Sequence, residues 1–132
     1  MVDSRVKDIL KEHALWLRGR GQGRRADLTG WDLSGADLKG VNLSDAEMRE
    51  VNLEKADLSG ADLSRANLPD AQLRGANLRK ANLSRADLSN ADLRETRLTS
   101  AKLTDADLWR ANVMGAIVAP KTLHEAFRCR SR

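Results

Sequence analysis

The chain has 132 residues, carries 23 Lys and Arg against 19 Asp and Glu, and contains only 3% aromatic residues. A chain of this length is one domain-sized unit, and its single cysteine, Cys129, excludes an internal disulfide. No apolar run reaches the about eighteen residues that a membrane-spanning helix needs. The N-terminus also lacks the uninterrupted apolar stretch of a secretory signal, so we expect a cytoplasmic protein without a membrane span.

Residues 4–18 follow the pattern of an amphipathic helix. Asp3 or Ser4 can act as its N-cap, and Gly19 can take the left-handed conformation that ends it. The apolar stripe, at the i, i+3, i+4 spacing of one helix face, consists of Val6, Ile9, Leu10, His13, Ala14 and Leu17. We expect this helix to cover the first part of the core that follows.

Some residues near this helix allow a functional interpretation. His13 has no nucleophile or second ligand at a useful spacing, so we favour packing at the helix edge. Trp16 and Trp31 are expected to be core residues beneath the helix. The segment GRGQGRR at residues 19–25 could contact phosphate through its arginines. It has no aromatic residue on which a base could stack, and we therefore interpret it as a basic hinge.

From Ala26 to Gly115 the chain consists of eighteen consecutive five-residue units. The first are ADLTG, WDLSG and ADLKG, the last is ANVMG, and a less regular AIVAP occupies residues 116–120. Each unit has a small apolar residue, a polar residue, Leu and two variable positions, which matches neither the helix nor the strand period. The chain must therefore turn once per unit. It can bury its apolar positions only by coiling and stacking coil on coil.

The tandem unit A-(D/N)-L-x-x resembles the pentapeptide-repeat family over residues 26–115. The resemblance implies an all-β solenoid, a right-handed quadrilateral β-helix with four units per coil and about 4.5 coils. The domain organisation would be a capping helix and connector at 1–25, the β-helix at 26–120, and a short C-terminal helix and tail at 121–132. The central residues would point inward, and the core column would include Leu28, Leu33, Leu38, Leu53, Leu73 and Leu93.

The C-terminal segment predicts one or two turns of helix. Thr122 and Glu125 have the spacing of a capping box, and this helix would close the last coil. Cys129 lies between Arg128 and Arg130, which could lower its pKa and make it reactive. We favour the alternative that it is a thiol without a role.

Charge is distributed unevenly along the chain. Residues 26–120 carry 12 Lys and Arg against 15 Asp and Glu, so the positive net charge resides in the two ends. The repeat body is therefore not expected to bind nucleic acid directly. One predicted face is basic and carries Lys39, Arg79, Lys80 and Arg97. Another is acidic and could bind a partner, and its residues are Asp27, Glu47, Glu50, Asp70, Asp87 and Asp107.

Trp109 and Met114 occupy positions that should point outward. Exposed aromatic and Met side chains are enriched at interface cores, so these two residues predict an interaction surface unless the C-terminal tail folds over them. The same surface could support a homodimer through a terminal coil. A monomer is the other possibility, and the protein partner is unidentified.

No motif for catalysis, a cofactor or a metal ion is present, and we expect a protein that is not an enzyme.

LKEHALWLRG and TLHEAF resemble a bacterial subset of the family, common in cyanobacteria. The expected function is that of a scaffold or protein-interaction module. The alternative, implied by some family members, is a DNA mimic that binds a type II topoisomerase such as gyrase and gives quinolone resistance. The positive net charge and the central Leu residues in place of Phe count against that alternative.

Overall fold

The computed structural model describes residues 2–21 and 23–128, and the side chains as far as residue 126. Two helices flank the repeats, α1 at Ser4–Leu17 and α2 at Pro120–Arg128. Neither helix in this described part of the chain is long and apolar enough to cross a membrane. The predictions for Cys129 and the final residues lie outside the described residues.

The repeats form a stack of coils held by parallel β-bridges. Each bridge joins a residue to the one twenty positions further on, from Asp27 with Glu47 to Arg97 with Ile117. Twenty residues are four units, so each coil has four sides. Leu28 N–H donates to the Glu47 carbonyl at 2.8 Å, and Glu47 N–H donates to the Ala26 carbonyl at 2.9 Å. These bridges are isolated, and no continuous strand forms among the described residues, because the chain turns again after each one. The predicted repeat solenoid is confirmed.

Every unit ends in a tight turn. The Leu33 carbonyl, for example, accepts from Ala36 N–H at 3.1 Å, and the third turn residue, Gly35, has φ of 68°. A positive φ at this position alone is the pattern of a type II turn. All eighteen turns have it, and twelve are made by residues other than glycine. In most units an Asp or Asn before the Leu supports the turn, and Asp32 Oδ1, for example, accepts from Ser34 N–H at 3.1 Å.

The core is a column of Leu side chains with small residues beside them. Its burial follows from the four-sided coil, because the central residue of every unit points to the axis. Each fully buried Leu stabilises the stack by about 1.5–3 kcal/mol relative to exposure. The six Leu residues assigned to the column are at most 6% exposed, and they are Leu28, Leu33, Leu38, Leu53, Leu73 and Leu93.

Helix α1 covers the N-terminal end of this column. Its N-cap is Asp3, whose side chain accepts from Arg5 N–H at 2.8 Å. Val6 is buried in the same core cluster as the repeats. The Arg5 guanidinium lies 5.3 Å from the centre of the Trp31 ring. The first coil is therefore closed by the helix.

Helix α2 begins earlier than the capping box predicts. Thr122 N–H donates to the Ala119 carbonyl at 3.0 Å, so Thr122 lies inside the first turn and is not the N-cap. The reason is Pro120, whose fixed φ suits the first helical position. Leu123 and Ala126 pack against the core, whereas Val113 and Val118 of the last coil are only half-buried. The C-terminal end is thus covered incompletely.

Candidate interaction surface

Three large apolar side chains are exposed around the C-terminal end. Trp109 is 52% exposed, Met114 73% and Ile117 61%. Trp109 and Met114 stand at the second turn position of neighbouring units, and Ile117 stands where most other units have Asp or Asn. The Arg110 guanidinium lies 4.4 Å from the centre of the Trp109 ring, a cation–π contact. The described part of the C-terminal segment does not cover these side chains. Trp109 belongs to the acidic side of the coil, Ile117 to the opposite side and Met114 to the side between them. We call the three residues together the terminal patch.

Ile117 was not among the residues predicted from the sequence to form an interaction surface. Its position in the unit could have indicated an interaction residue. An apolar side chain at the outward Asp or Asn position cannot support the turn. Its backbone still bridges to Arg97, and its carbonyl accepts from Leu98 N–H at 2.8 Å. The exposed side chain is therefore carried by an ordered part of the last coil.

The predicted acidic residues lie on one side of the stack. Glu50 and Asp70 are turn residues with φ of 57° and 60°. The others form a column in which each bridges to the next, with an asparagine in the middle, and its members are Asp27, Glu47, Asn67, Asp87 and Asp107. The structure therefore brings all six predicted carboxylates to one side.

Several of these carboxylates are engaged within the stack. Hydrogen bonds from Thr29, through its side chain and its N–H, lower the pKa of Asp27. Glu47 accepts from Arg25 at 2.9 Å and from the Asn67 amide at 2.9 Å. Asp27 therefore stays ionised while it supports its turn, whereas the Arg25 guanidinium offsets the charge of Glu47.

The basic residues lie on the opposite side of the coil, because their units are two sides further along the chain. Lys39, Arg79, Lys80 and Arg97 are all exposed there. Asp57 lies among them, with its Oδ2 3.8 Å from Lys39 Nζ. Hydrogen bonds from Ser59 lower the pKa of Asp57, and the nearby cations lower it further. The stack is thus acidic on one side and basic on the other.

His13 is fully buried and joins α1 to the first and last units of the first coil. Ala26 N–H donates to its Nδ1 at 2.9 Å, which requires a deprotonated Nδ1. Its Nε2 therefore carries the hydrogen and donates to the Ser44 carbonyl at 2.8 Å. The ring also stacks on Trp16, with 5.5 Å between centroids. Burial lowers the pKa of His13. The sequence correctly predicted that His13 packs at α1. It did not predict the hydrogen bonds of His13, since Ser44 is thirty-one residues away.

The described residues offer no arrangement for catalysis. No group of three or more His, Cys, Asp or Glu side chains among them could hold a metal ion. The depression beside α1 is lined by Leu15, Arg18, Arg20 and Gly21, which include no nucleophile or general base.

Comparison with known proteins agrees with the repeat architecture. The family model described as Pentapeptide repeats matches eight copies, at residues 24–60, 46–85, 56–94 and 81–118. These ranges cover most of the chain, so the protein belongs to the pentapeptide-repeat family. Comparison with curated proteins gives no match.

Several solved pentapeptide repeat proteins are similar. HetL, involved in heterocyst differentiation regulation in the cyanobacterium Nostoc sp. strain PCC 7120, is 42% identical with a TM-score of 0.65. The match covers 66% of this chain and 40% of HetL, less than two thirds of that protein. A second Nostoc PCC 7120 protein is 49% identical, with a TM-score of 0.56 and coverage of 57% and 62%. A protein of the Arabidopsis thaliana thylakoid lumen is 29% identical, with a TM-score of 0.67 and coverage of 72% and 70%.

Proposed function

We propose that this protein is a non-enzymatic interaction module that binds a protein partner through its C-terminal end. The observation that carries the proposal is the terminal patch, three exposed apolar side chains on a stack whose sides are otherwise polar. Pentapeptide repeat proteins generally act as structural or interaction modules. The proposal includes the right-handed coil, the bacterial origin and the cytoplasmic location expected from the sequence.

A stacked coil suits this role because its backbone is already ordered before binding. Every described turn is fixed by its own hydrogen bonds, and each coil is bonded to the next. Little conformational entropy is then lost when a partner binds, which is the advantage of a preorganised surface. Trp109 is the expected centre of the contact, because aromatic residues dominate binding energy at interfaces.

The test is affinity capture from host lysate with tagged wild-type protein and the variant Trp109→Ala. Lys80→Ala, an exposed change on the basic side, is the matched control. We expect a protein that is enriched by wild type and Lys80→Ala and lost with Trp109→Ala. Equal capture by all three forms would contradict the proposed surface.

A second candidate is the DNA mimic, which the stacked acidic column favours. Its carboxylates recur along one side of a rod, as phosphates do along a duplex. The engagement of Glu47 with Arg25 and Asn67 counts against it. Inhibition of gyrase supercoiling by micromolar protein, lost in a double variant Asp87→Asn and Asp107→Asn, would support it. No effect of the wild-type protein would reject it.

A further inference from the structure

On the basic side of the stack, a short side chain lies between two long cationic ones. Lys39, Ser59 and Arg79 hold the same position in units that are stacked one above another. The Ser59 carbonyl accepts from Gly40 N–H at 2.9 Å, and the Arg79 carbonyl accepts from Gly60 N–H at 2.8 Å. Since neighbouring coils are about 4.8 Å apart, the backbones of Lys39 and Arg79 are about 10 Å apart, with the serine between them.

A glycine widens the gap between these cations. Gly60 follows Ser59, and a Cβ built on it would meet nothing within 4 Å. Lys80 occupies the same unit position one coil further and is exposed. The result is an open depression of about 460 Å³, within the range of about 300–1,000 Å³ that is typical of small-molecule sites. We call this depression the basic notch, and its residues are Lys39, Ser59, Gly60, Asn77, Arg79 and Lys80.

The donors of the basic notch are available to a ligand. Among the residues that the structure describes, neither Arg79 nor Lys80 forms an ion pair. Lys39 Nζ lies 3.8 Å from Asp57 Oδ2, which is too long for a hydrogen bond. Asn77 Oδ1 accepts from Arg79 N–H at 3.2 Å, and its Nδ2 donates to no described residue. Three cations and one amide can therefore donate to the same ligand.

The surrounding charges favour a small dianion over a long polyanion. The units of this side, at residues 36–40, 56–60, 76–80, 96–100 and 116–120, have a net charge of +2. Their charged residues are Lys39, Arg79, Lys80 and Arg97 with Asp37 and Asp57. The repeat body as a whole carries 12 Lys and Arg against 15 Asp and Glu, so a nucleic-acid strand along the stack would be repelled. A single phosphate group needs only the notch.

We propose that the basic notch binds the phosphate dianion of a small molecule, with Arg79 as the main ligand. A guanidinium presents two parallel N–H donors that match phosphate oxygens, and Lys39 and Lys80 add positive charge on either side. Asp57 opposes binding, because its carboxylate is held beside the notch by Ser59, whose Oγ donates to Asp57 Oδ1 at 2.7 Å. This site lies away from the terminal patch and goes beyond the proposed function.

The experiment is a titration of the isotope-labelled full chain with inorganic phosphate and with glycerol phosphate, at about pH 8, where the phosphate group is a dianion. Nuclear magnetic resonance follows the backbone amide signals of Ser59 and Gly60. Sodium chloride at the same ionic strength is the reference, since salt alone screens surface charges. We expect saturable shifts with phosphate and none with chloride. Tighter binding of glycerol phosphate would identify an ester as the ligand, and equal binding would identify the free ion.

Three variants test which residues are responsible. Arg79→Gln is expected to bind phosphate about tenfold more weakly, because the charge-assisted hydrogen bonds are lost. Arg49→Gln is the matched control, since it removes an exposed cation from the same unit position on the acidic side and should leave binding unchanged. Asp57→Asn is expected to bind about two- to fivefold more tightly, because a repelling carboxylate is removed. Asparagine still supports the turn there, as Asn77 does one coil further.

The amide spectrum of each variant also shows that it is folded, so a lost fold is not mistaken for lost binding. Shifts that do not saturate, or that sodium chloride reproduces, would overturn the inference. Equal affinity of Arg79→Gln and Arg49→Gln would overturn it as well, and so would weaker binding by Asp57→Asn than by wild type.

Discussion

At the scale of single residues, the repeat is explained by what each position does in the turn. The Asp or Asn accepts a backbone hydrogen bond, the Leu fills the axis, and the fifth residue takes a positive φ. The first two roles could be predicted from the sequence, because they recur in most units. The positive φ was less evident, since twelve of the eighteen fifth positions hold residues other than glycine, such as Lys80 with φ of 60°.

The fifth position predicts opposite effects of two substitutions. Gly40 has φ of 65°, and a Cβ there would meet nothing within 4 Å, so Gly40→Ala introduces only backbone strain. We expect it to lower the free energy of unfolding by about 1–2 kcal/mol. Lys80→Gly relieves the same strain, and the greater entropy of the unfolded glycine offsets part of the gain. We expect it to be neutral to mildly stabilising. Urea denaturation measures both, and Gly40→Ala as stable as wild type would contradict the turn assignment.

His13 predicts a dependence of stability on pH. Its folded pKa lies below the ordinary value of about 6.5 that the unfolded chain has. At and below pH about 6.5 the unfolded state therefore binds more protons than the folded state. The contribution of His13 to the free energy of unfolding is fully present above that pH and is lost as the pH falls. Burial is the main cause. Asp45 raises the pKa and Arg25 lowers it by smaller amounts. Protonation of Nδ1 would also remove the acceptor for Ala26 N–H.

The measurement is the melting temperature between pH 8 and pH 5 for wild type, His13→Gln and His124→Gln. Wild type and His124→Gln are expected to lose stability together below about pH 6.5. His13→Gln should be less stable at pH 8 and change less over this range. A wild-type curve parallel to that of His13→Gln would show that His13 does not titrate on unfolding.

At the scale of elements, the connector between α1 and the repeats differs from the flexible hinge expected from its glycines and arginines. Arg24 N–H donates to the Glu12 carbonyl at 3.0 Å, and Gly23 N–H donates to the Arg20 carbonyl at 2.9 Å. Arg25 reaches the Asp45 carbonyl and Glu47. Sequence could not predict this packing, because the partners lie outside the segment. It could predict α1 itself, since the apolar stripe and the Asp3 cap are local features.

Gly23 provides a direct test of this packing. A Cβ at Gly23 would lie 2.1 Å from the Trp16 backbone nitrogen, so Gly23→Ala forces the connector away from α1. We expect a loss of about 1–3 kcal/mol in the free energy of unfolding. Gly21→Ala is the matched control, since a Cβ there meets nothing within 4 Å. Equal stability of the two variants, measured by urea denaturation with tryptophan fluorescence, would rule out the close approach.

At the scale of the whole molecule, the stack is a regular body with two unlike ends and two unlike sides. Regularity made the body predictable, because one unit repeated eighteen times has only one way to bury its Leu residues. The ends break the repeat, and their detail depends on contacts such as those of His13 and Leu123 that no periodic pattern encodes. The terminal patch was partly predicted, through Trp109 and Met114, and Ile117 completed it. We expect the function to reside at the ends, because they are the parts of the stack that depart from the repeat.

The central residue of each unit points into the stack, whereas the residue before it points out. Leu73→Asp and Gln72→Asp test it at neighbouring positions, one 1% exposed and the other exposed. A carboxylate at Leu73 would be buried without a partner, so Leu73→Asp should lose cooperative unfolding and the native circular dichroism spectrum. Gln72→Asp should retain both, since Asp is common at that position of the unit. A cooperative, native-like melt of Leu73→Asp would contradict the account.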